Sequence, residues 1–324
     1  MKKYILRRFL IALPVLFLIS VISFTFIELA PGDAVGAMMM QSSGGGSLGN
    51  ISKQQVEKLR EMYGFNKPAH ERYILWMKNL SKGDFGFRFS DKKPVSKLLG
   101  ERLPMTLELM GVSLILACVI GISLGVVSAL KQNTMIDYIL TVIAFSGVSV
   151  PVFFIAIVCI FIFSLNLDWF PTSGAWTPAV TFSIKDHIHH LILPSLVMAV
   201  VIMSDIMRYA RASMLDVIRE DYITTARAKG LRSLQVILGH AFRNALLPLI
   251  TIIALKLPWI LGGSSILETV FQWPGIGSLF IEAAVARDYY IVMALLMVYG
   301  GAVVFAGLIA DIAYAVADPR IKYK

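Results

Sequence analysis

Charge is scarce in this 324-residue chain, and cysteine scarcer. Only 16% of the residues are charged, against about 25% in a typical soluble domain. The charges cluster between apolar runs, which argues against a soluble fold with an evenly solvated surface. The two cysteines, Cys118 and Cys159, both sit inside apolar runs. They supply no disulfide framework and no metal-ligand spacing, and read as core or lipid-facing residues. There is no Walker A loop, so the chain does not bind ATP in the P-loop manner, and there is no His-Glu-x-x-His zinc motif. Internal repeats and coiled-coil heptads are also missing. No set of catalytic residues gathers at one depth, so a membrane enzyme finds no support, and no metal site or cofactor is expected in the chain itself.

What is abundant is apolar sequence. Hydrophobic residues make up 57% of the chain, and the mean hydropathy is +0.72. A soluble core of this length could not bury that much; a bilayer could. Six segments reach the roughly 20 residues that a helix needs to cross the hydrocarbon. They run from Phe9 to Ala30, Met105 to Leu130, Tyr138 to Leu167, Ile188 to Met207, Ala245 to Leu267, and Ile291 to Val316. The runs are continuous and do not alternate, which favours helices over a barrel. The expected fold is an all-α integral membrane protein with six transmembrane helices. The N-terminal run is too long for a signal-peptide core and no small-x-small site follows it, so an uncleaved first span is expected.

The formal net charge of +9 sets orientation and does not point to nucleic acid. With the N-terminus inside, the inner face holds Lys2, Lys3, Arg7, Arg8, Lys131, the seven Lys and Arg residues from Arg208 to Arg243, and Arg320, Lys322 and Lys324. The short outer loops hold only Lys185 and Arg287. This is the positive-inside pattern, with both termini cytoplasmic. Segment Pro31–Arg102 then lies outside with twelve basic residues, a tolerated exception because long translocated segments escape the rule. It opens on a Gly/Ser/Met stretch, Met38–Gly49. A helix is predicted over Ser52–Met62, with Ser52 as N-cap and Gly64 as stop, and a second over Ala69–Leu80. The domain plan is therefore a first helix over 1–30, a small extracytoplasmic helical subdomain over 31–103, a five-helix core over 104–316 with a cytoplasmic loop at 208–244, and a tail over 317–324.

The loop before the fifth span is the informative stretch. Tyr222, Ile223, Thr224, Thr225, Ala226, Arg227, Ala228, Lys229 and Gly230 read as a short helix of small residues with a glycine stop. A second helix then feeds the fifth span. Small side chains let another protein approach closely, Tyr222 offers an aromatic anchor, and Arg227 and Lys229 can meet acidic groups; an ordinary positive-inside loop is the plain alternative. Lys256 lies eleven positions into the fifth span, about 16 Å along at helical rise and near mid-membrane. A charge there must face water or a partner. Either it lines a solute pathway, or it pairs with an acid on a neighbouring helix. Asp205 is expected at the interfacial end of the fourth span. His187, His189 and His190 read as a polar cap at its outer mouth. Pro151 interrupts the third span and can kink it. Gly121 and Gly125 form a small-xxx-small pair.

The loop resembles the EAA loop of ATP-binding-cassette importer permeases, in particular the oligopeptide/dipeptide (nickel) permease family. Further matches follow in order along nearly the whole chain. They are Ala30-Pro31-Gly32-Asp33, Gly83-Asp84-Phe85-Gly86, Ser149-Val150-Pro151, Trp169-Phe170-Pro171, the run from Glu268 through Phe271, Trp273, Pro274 and Gly275 to Gly277, and Asp318-Pro319-Arg320-Ile321. The resemblance implies a multi-pass permease in a bacterial or archaeal cell membrane that moves oligopeptides or dipeptides by alternating access. It implies four kinds of partner: a second homologous permease, two ATPase subunits carrying ATP and Mg, an extracytoplasmic solute-binding protein, and the bilayer. Tyr222–Gly230 would be the coupling helix. Thr224 stands where the wider superfamily has Glu, which removes the usual acidic contact. Lys256 and Pro151 are pathway candidates. Phe271, Trp273, Pro274 and Gly275 are candidates for an outer gate or binding-protein contact. The same machine could carry nickel chelates, metallophores or glycosides. An ion channel would need no ATPase partner.

Overall fold

A computed structural model describes residues 2–29, 57, 58, 60, 61, 66–178, 181–262 and 264–317. Among these the chain is helical, and the only sheet-like feature is an isolated bridge between Phe87 and Pro94. The helices are α1 (Lys2–Leu29), α2 (Ala69–Leu80), α3 (Val95–Leu130), α4 (Met135–Ser149), and α5 (Val152–Cys159), which continues as a π-helix over Ile160–Asn166. They go on with α6 (Ile184–Ile218) and α7 (Asp221–Ala228). A turn at Ser233–Gln235 and a π-helix over Val236–Phe242 lead into α8 (Arg243–Gly262). The rest are α9 (Ser265–Val270), α10 (Ile276–Ala286) and α11 (Tyr289–Ala317).

Four helices are long and apolar enough to cross a membrane singly: α1, α3, α6 and α11. Two bent pairs pass the same test jointly. α4 and α5 meet at 107°, and the segments Ser233–Leu246 and Pro248–Leu257 at 42°. Large apolar side chains are exposed along α1 (Leu10, Ile11, Phe17) and α4 (Tyr138, Ile139, Val142). A bilayer can cover such faces and water cannot.

The structure corrects several expected boundaries. The third span is not one continuous helix over Tyr138–Leu167. Pro151 lacks an N–H and pushes the preceding residue out of the α region; Val150 sits at φ −94°, ψ 129°, and a new helix starts at Val152. The fifth span stops at Gly262, short of Leu267. Beyond a glycine pair, Ser264 caps α9 by accepting the Leu267 N–H at 3.3 Å. The second span starts ten residues early, at Val95, because Val95, Leu98 and Leu99 are buried. The fourth runs on to Ile218. α2 spans Ala69–Leu80 as predicted. Of the helix expected over Ser52–Met62, residues 57, 58, 60 and 61 are described and helical. The Met38–Gly49 stretch, the Ala30–Asp33 motif and the tail from Asp318 fall outside the described residues.

The chain divides into two compact units. Among the described residues, one lies within 2–106 and 274–302, and the other within 107–273 and 303–317.

In the first unit, Val95, Leu98 and Leu99 of α3 bury against Ile276, Leu279 and Ala283 of α10 and Ile291, Ala294 and Leu295 of α11. Phe24, Tyr73 and Trp76 pack α2 on α1, and the Ser20 and Tyr73 hydroxyls lie 2.8 Å apart. A tight loop at 86–95 places Phe89 in the core, fully buried. Its N–H donates to Asp288 Oδ2 at 2.7 Å. Asp288 is itself buried at the start of α11, and its Oδ1 has no protein hydrogen-bond partner.

In the second unit α6 is the hub, packed on both α4 and α8. Glycines let its neighbours approach. A Cβ at Gly121 would meet the Met203 carbonyl at 2.9 Å, and one at Gly125 would meet both the Met207 carbonyl and Ala210 Cβ at 2.6 Å. Lipid offers no hydrophobic drive between helices, so close backbone contact supplies the association energy.

Two expectations follow. Gly125→Ala should destabilise the purified chain in detergent by about 1–3 kcal/mol, while Gly111→Ala, where a Cβ meets nothing within 4 Å, should be neutral; thermal unfolding checks both. Burial pushes Asp288 up to about 6, against the opposing pull of the Phe89 and Ile291 N–H groups. A carboxyl raised in the folded state contributes stability below its ordinary range near 3.8 that is lost as pH climbs through about 6. Denaturant unfolding of the purified chain should therefore weaken from pH 4 to pH 7, by up to about 3 kcal/mol, and Asp288→Asn should flatten that slope.

Candidate functional site

The loop after α6 folds as its composition dictates. α6 closes with Arg219, and Glu220 turns the chain at φ −71°, ψ 145°. α7 begins with Asp221, an acid at the positive end of the helix dipole, and carries Arg227 in its last turn. The Thr225 hydroxyl donates back to the Asp221 carbonyl at 2.9 Å. At the far end Gly230 takes φ +76°, the left-handed conformation that ends helices. Its N–H donates to the Arg227 carbonyl at 3.0 Å.

The nine residues singled out in the sequence divide by face. Ile223 and Ala226, one turn apart, are buried. They join Ala129 from the end of α3, Met214 from the last turns of α6, Val236 and Ala241 from the π-helical stretch, and Ala245 from the start of α8. Tyr222, Thr224, Thr225, Arg227, Ala228, Lys229 and Gly230 are exposed. The helix is thus seated by two apolar side chains on the ends of three longer elements, and it presents a surface of small and polar groups. Asn244 adds a polar tie that the sequence did not single out: its amide donates to the Tyr222 hydroxyl and the His240 carbonyl, both at 3.0 Å.

Lys256 lies within α8, and its Nζ donates to Asp205 Oδ2 of α6 at 2.5 Å. Asp205 also pairs with Arg208. α6 continues for roughly three and a half turns beyond Asp205. Both partners of the Lys256 pair are partly exposed. Pro151 is exposed at the 107° bend.

At the N-terminal end of α6, each of the three imidazoles has a protein partner. His187 bridges the Ala175 carbonyl at 2.8 Å and Glu108 at 2.9 Å. His189 lies 2.7 Å from the Trp169 carbonyl, and His190 lies 2.9 Å from the Asp186 carbonyl. Among the described residues no group of three or more His, Cys, Asp or Glu is arranged to hold a metal ion. The loop after α9 is more enclosed than a docking surface requires. Phe271 and Trp273 are among the most buried large side chains, and Trp273 lies against the His187 ring at 5.6 Å between centroids. Gly275 is buried too, Pro274 is half-buried, and Gln272, at φ +50°, is exposed. Gly121-Ile122-Ser123-Leu124-Gly125 spells the formal pattern of a hydrolase nucleophile elbow, but it lies in mid-helix in α3, where no strand-to-helix turn exists.

Comparison with known proteins fits this architecture. The chain is 45% identical to the oligopeptide transport system permease protein AppB of Bacillus subtilis strain 168, over the full length of both chains. It is 33% identical to the glutathione transport system permease protein GsiC of Escherichia coli strain K12, again over both full lengths. A solved structure of the MetNI methionine ABC transporter, in an inward-facing conformation, superposes with a TM-score of 0.51 at 17% identity. It covers 68% of this chain and 96% of that one; at that identity the likeness speaks for the fold. Residues 1–110 match the N-terminal part of the membrane component of binding-protein-dependent transport systems. Residues 121–323, which hold α7 and its seat, match the binding-protein-dependent transport system inner membrane component, and the chain belongs to that family.

Proposed function

We propose that this chain is the permease subunit of an ATP-binding-cassette importer that carries oligopeptides or dipeptides across the cytoplasmic membrane by alternating access. The observation that carries the reading is the seat of α7. A short helix anchored by Ile223 and Ala226 to the ends of α3, α6 and α8 can receive a push from a separate protein and pass it to the membrane helices. The cargo class rests on the relatives' names. ATP and Mg reside on two partner ATPase subunits, since the chain has no P-loop of its own. A second homologous permease completes the pathway, and an extracytoplasmic binding protein delivers solute.

In this reading each bent pair counts as one span, giving six, with both termini cytoplasmic and α2 outside. Closure of the ATPases moves α7, and the membrane helices shift between inward-open and outward-open arrangements. The exposed residues of α7, above all Thr224, Thr225, Arg227 and Ala228, meet the ATPase, while Tyr222 orients the helix through Asn244. The half-exposed Lys256–Asp205 pair and Pro151 at the bend line the pathway, where the ammonium attracts a peptide carboxylate. The buried positions of Phe271, Trp273 and Gly275 support a role as packing behind an outer gate, with Gln272 and Pro274 facing the binding protein.

Proteoliposomes holding the full complex test the reading. Ala228→Trp, placed on the exposed face of α7, should cut ATP-driven uptake of a labelled peptide at least tenfold while the thermal midpoint of the chain stays put. Wild-type uptake by this variant, or uptake without the ATPases, would exclude the coupling role. Lys256→Met should lower uptake severalfold with the complex intact. The double variant Asp205→Asn/Lys256→Met separates pathway from packing: a pathway lysine leaves uptake low, whereas a lysine that merely neutralises Asp205 lets it recover.

A further inference from the structure

We propose that Asp137 and Arg211 form a positioning pair that makes α4 move with the seat of α7, so that displacement of the coupling helix reaches the bend at Pro151. The inference rests on the coupling reading of α7 and extends it to two residues that do not touch α7.

The geometry is closed on every side. Arg211 of α6 grips Asp137 of α4 with a two-pronged fork, Nε to Oδ1 and Nη2 to Oδ2, each at 2.8 Å. Ser128 of α3 donates to Oδ1 at 2.5 Å, and the Asn133 N–H donates to Oδ2 at 3.1 Å. The carboxylate is almost wholly buried. Three membrane helices and one inner loop therefore meet at a single carboxylate. A guanidinium fork fixes orientation as well as distance, which a point charge cannot do.

The position of this knot makes it more than packing. Ser128 enters the knot, and the next residue, Ala129, enters the α7 seat. Arg211 enters the knot, and Met214, one turn on along the same face of α6, enters the seat. The knot and the seat therefore share the ends of α3 and α6. α4 contributes no residue to the seat, so the knot ties its inner end to the same framework. At its other end α4 stops at Val150, where the chain turns by 107° into α5. A push on α7 thus has a stiff route through Asp137 to that bend. The Gly125 contact supports the same geometry, because a Cβ there would come within 3.1 Å of the Arg211 backbone nitrogen. Stability alone is a poor reason for a buried ion pair, since the desolvation of two charges offsets much of their attraction. Fixed registry between moving parts is a better one.

The test uses the full reconstituted complex and reads two quantities: peptide transported per ATP hydrolysed, and the width of the distance distribution between spin labels at exposed positions Leu234, beside the seat but off α7, and Ile139. Arg211→Lys keeps the charge but loses the fork, and Asp137→Asn loses the charge. Both should hydrolyse ATP within twofold of wild type, transport at least fivefold less per ATP, and show a broadened label distance. Ser128→Ala, the mildest change, should lower the ratio about twofold and serves if the others do not assemble. An unchanged ratio and label width would overturn the proposal. So would a fall of hydrolysis and transport in step with the amount of folded complex, which is the mark of a purely structural pair. Ala228→Trp is run alongside. If it transports normally, the coupling reading fails and takes this inference with it; if it is inactive while the three variants keep the wild-type ratio, only the inference about Asp137 and Arg211 fails.

Discussion

The contact on which the membrane core depends is backbone against backbone. Helices in lipid gain nothing by hiding apolar side chains from water that is not there. They associate where small residues let their surfaces come close, and α6 is approached in that way by Gly121 and Gly125 of α3 and by Gly147 of α4. That closeness brings polar groups of neighbouring helices within reach of each other. Asp137 can be held by Arg211 and Ser128 at once because α3, α4 and α6 already run in contact. Asp205 and Lys256 likewise meet because α8 lies along α6. In a low-dielectric setting such pairs are specific: a partner misplaced by one turn would leave a charge unmatched.

This arrangement gives the permease its two mechanical properties. The ends of α3, α6 and α8 share the apolar seat of α7, and under the proposed function a force on that short helix would spread over several spans. The spans themselves are not uniform rods. α4 and α5 are separated by a sharp bend at Pro151, and α8 is preceded by a π-helical stretch. A stiff seat and a sharp bend away from it would concentrate movement at the bend under the proposed function, and not dissipate it where work is delivered.

Much of the local structure was legible in the sequence. α2 begins and ends where predicted, and α7 with its glycine stop follows from small residues and a φ > 0 position. Hydropathy alone ran through the break, because an apolar run looks the same whether it is one helix or two, but Pro151 marked the kink that the structure shows as a 107° bend. It also carried the fifth span past Gly262, the last helical residue of α8, into a separate helix that Ser264 caps at its start. What the sequence could not give was pairing at a distance. Arg211 read as one of several positive-inside charges, and Asp137 read as nothing in particular. Their meeting depends on a three-helix packing that no local window contains. For Phe271 and Trp273 the resemblance offered an outer gate or a binding-protein contact; both side chains are buried, Trp273 against the His187 ring.

The π-helical run at Val236–Phe242 has a bearing on how the fifth span must be read. A π turn takes in about one residue more than an α turn, so side chains beyond it are out of phase with those before it by about 100°. A wheel drawn straight through from Ser233 would assign Asn244, Ala245 and Lys256 to the wrong azimuth. The surplus residue acts as an offset key, rotating the remainder of the helix so that Asn244 reaches Tyr222 while Lys256 faces Asp205.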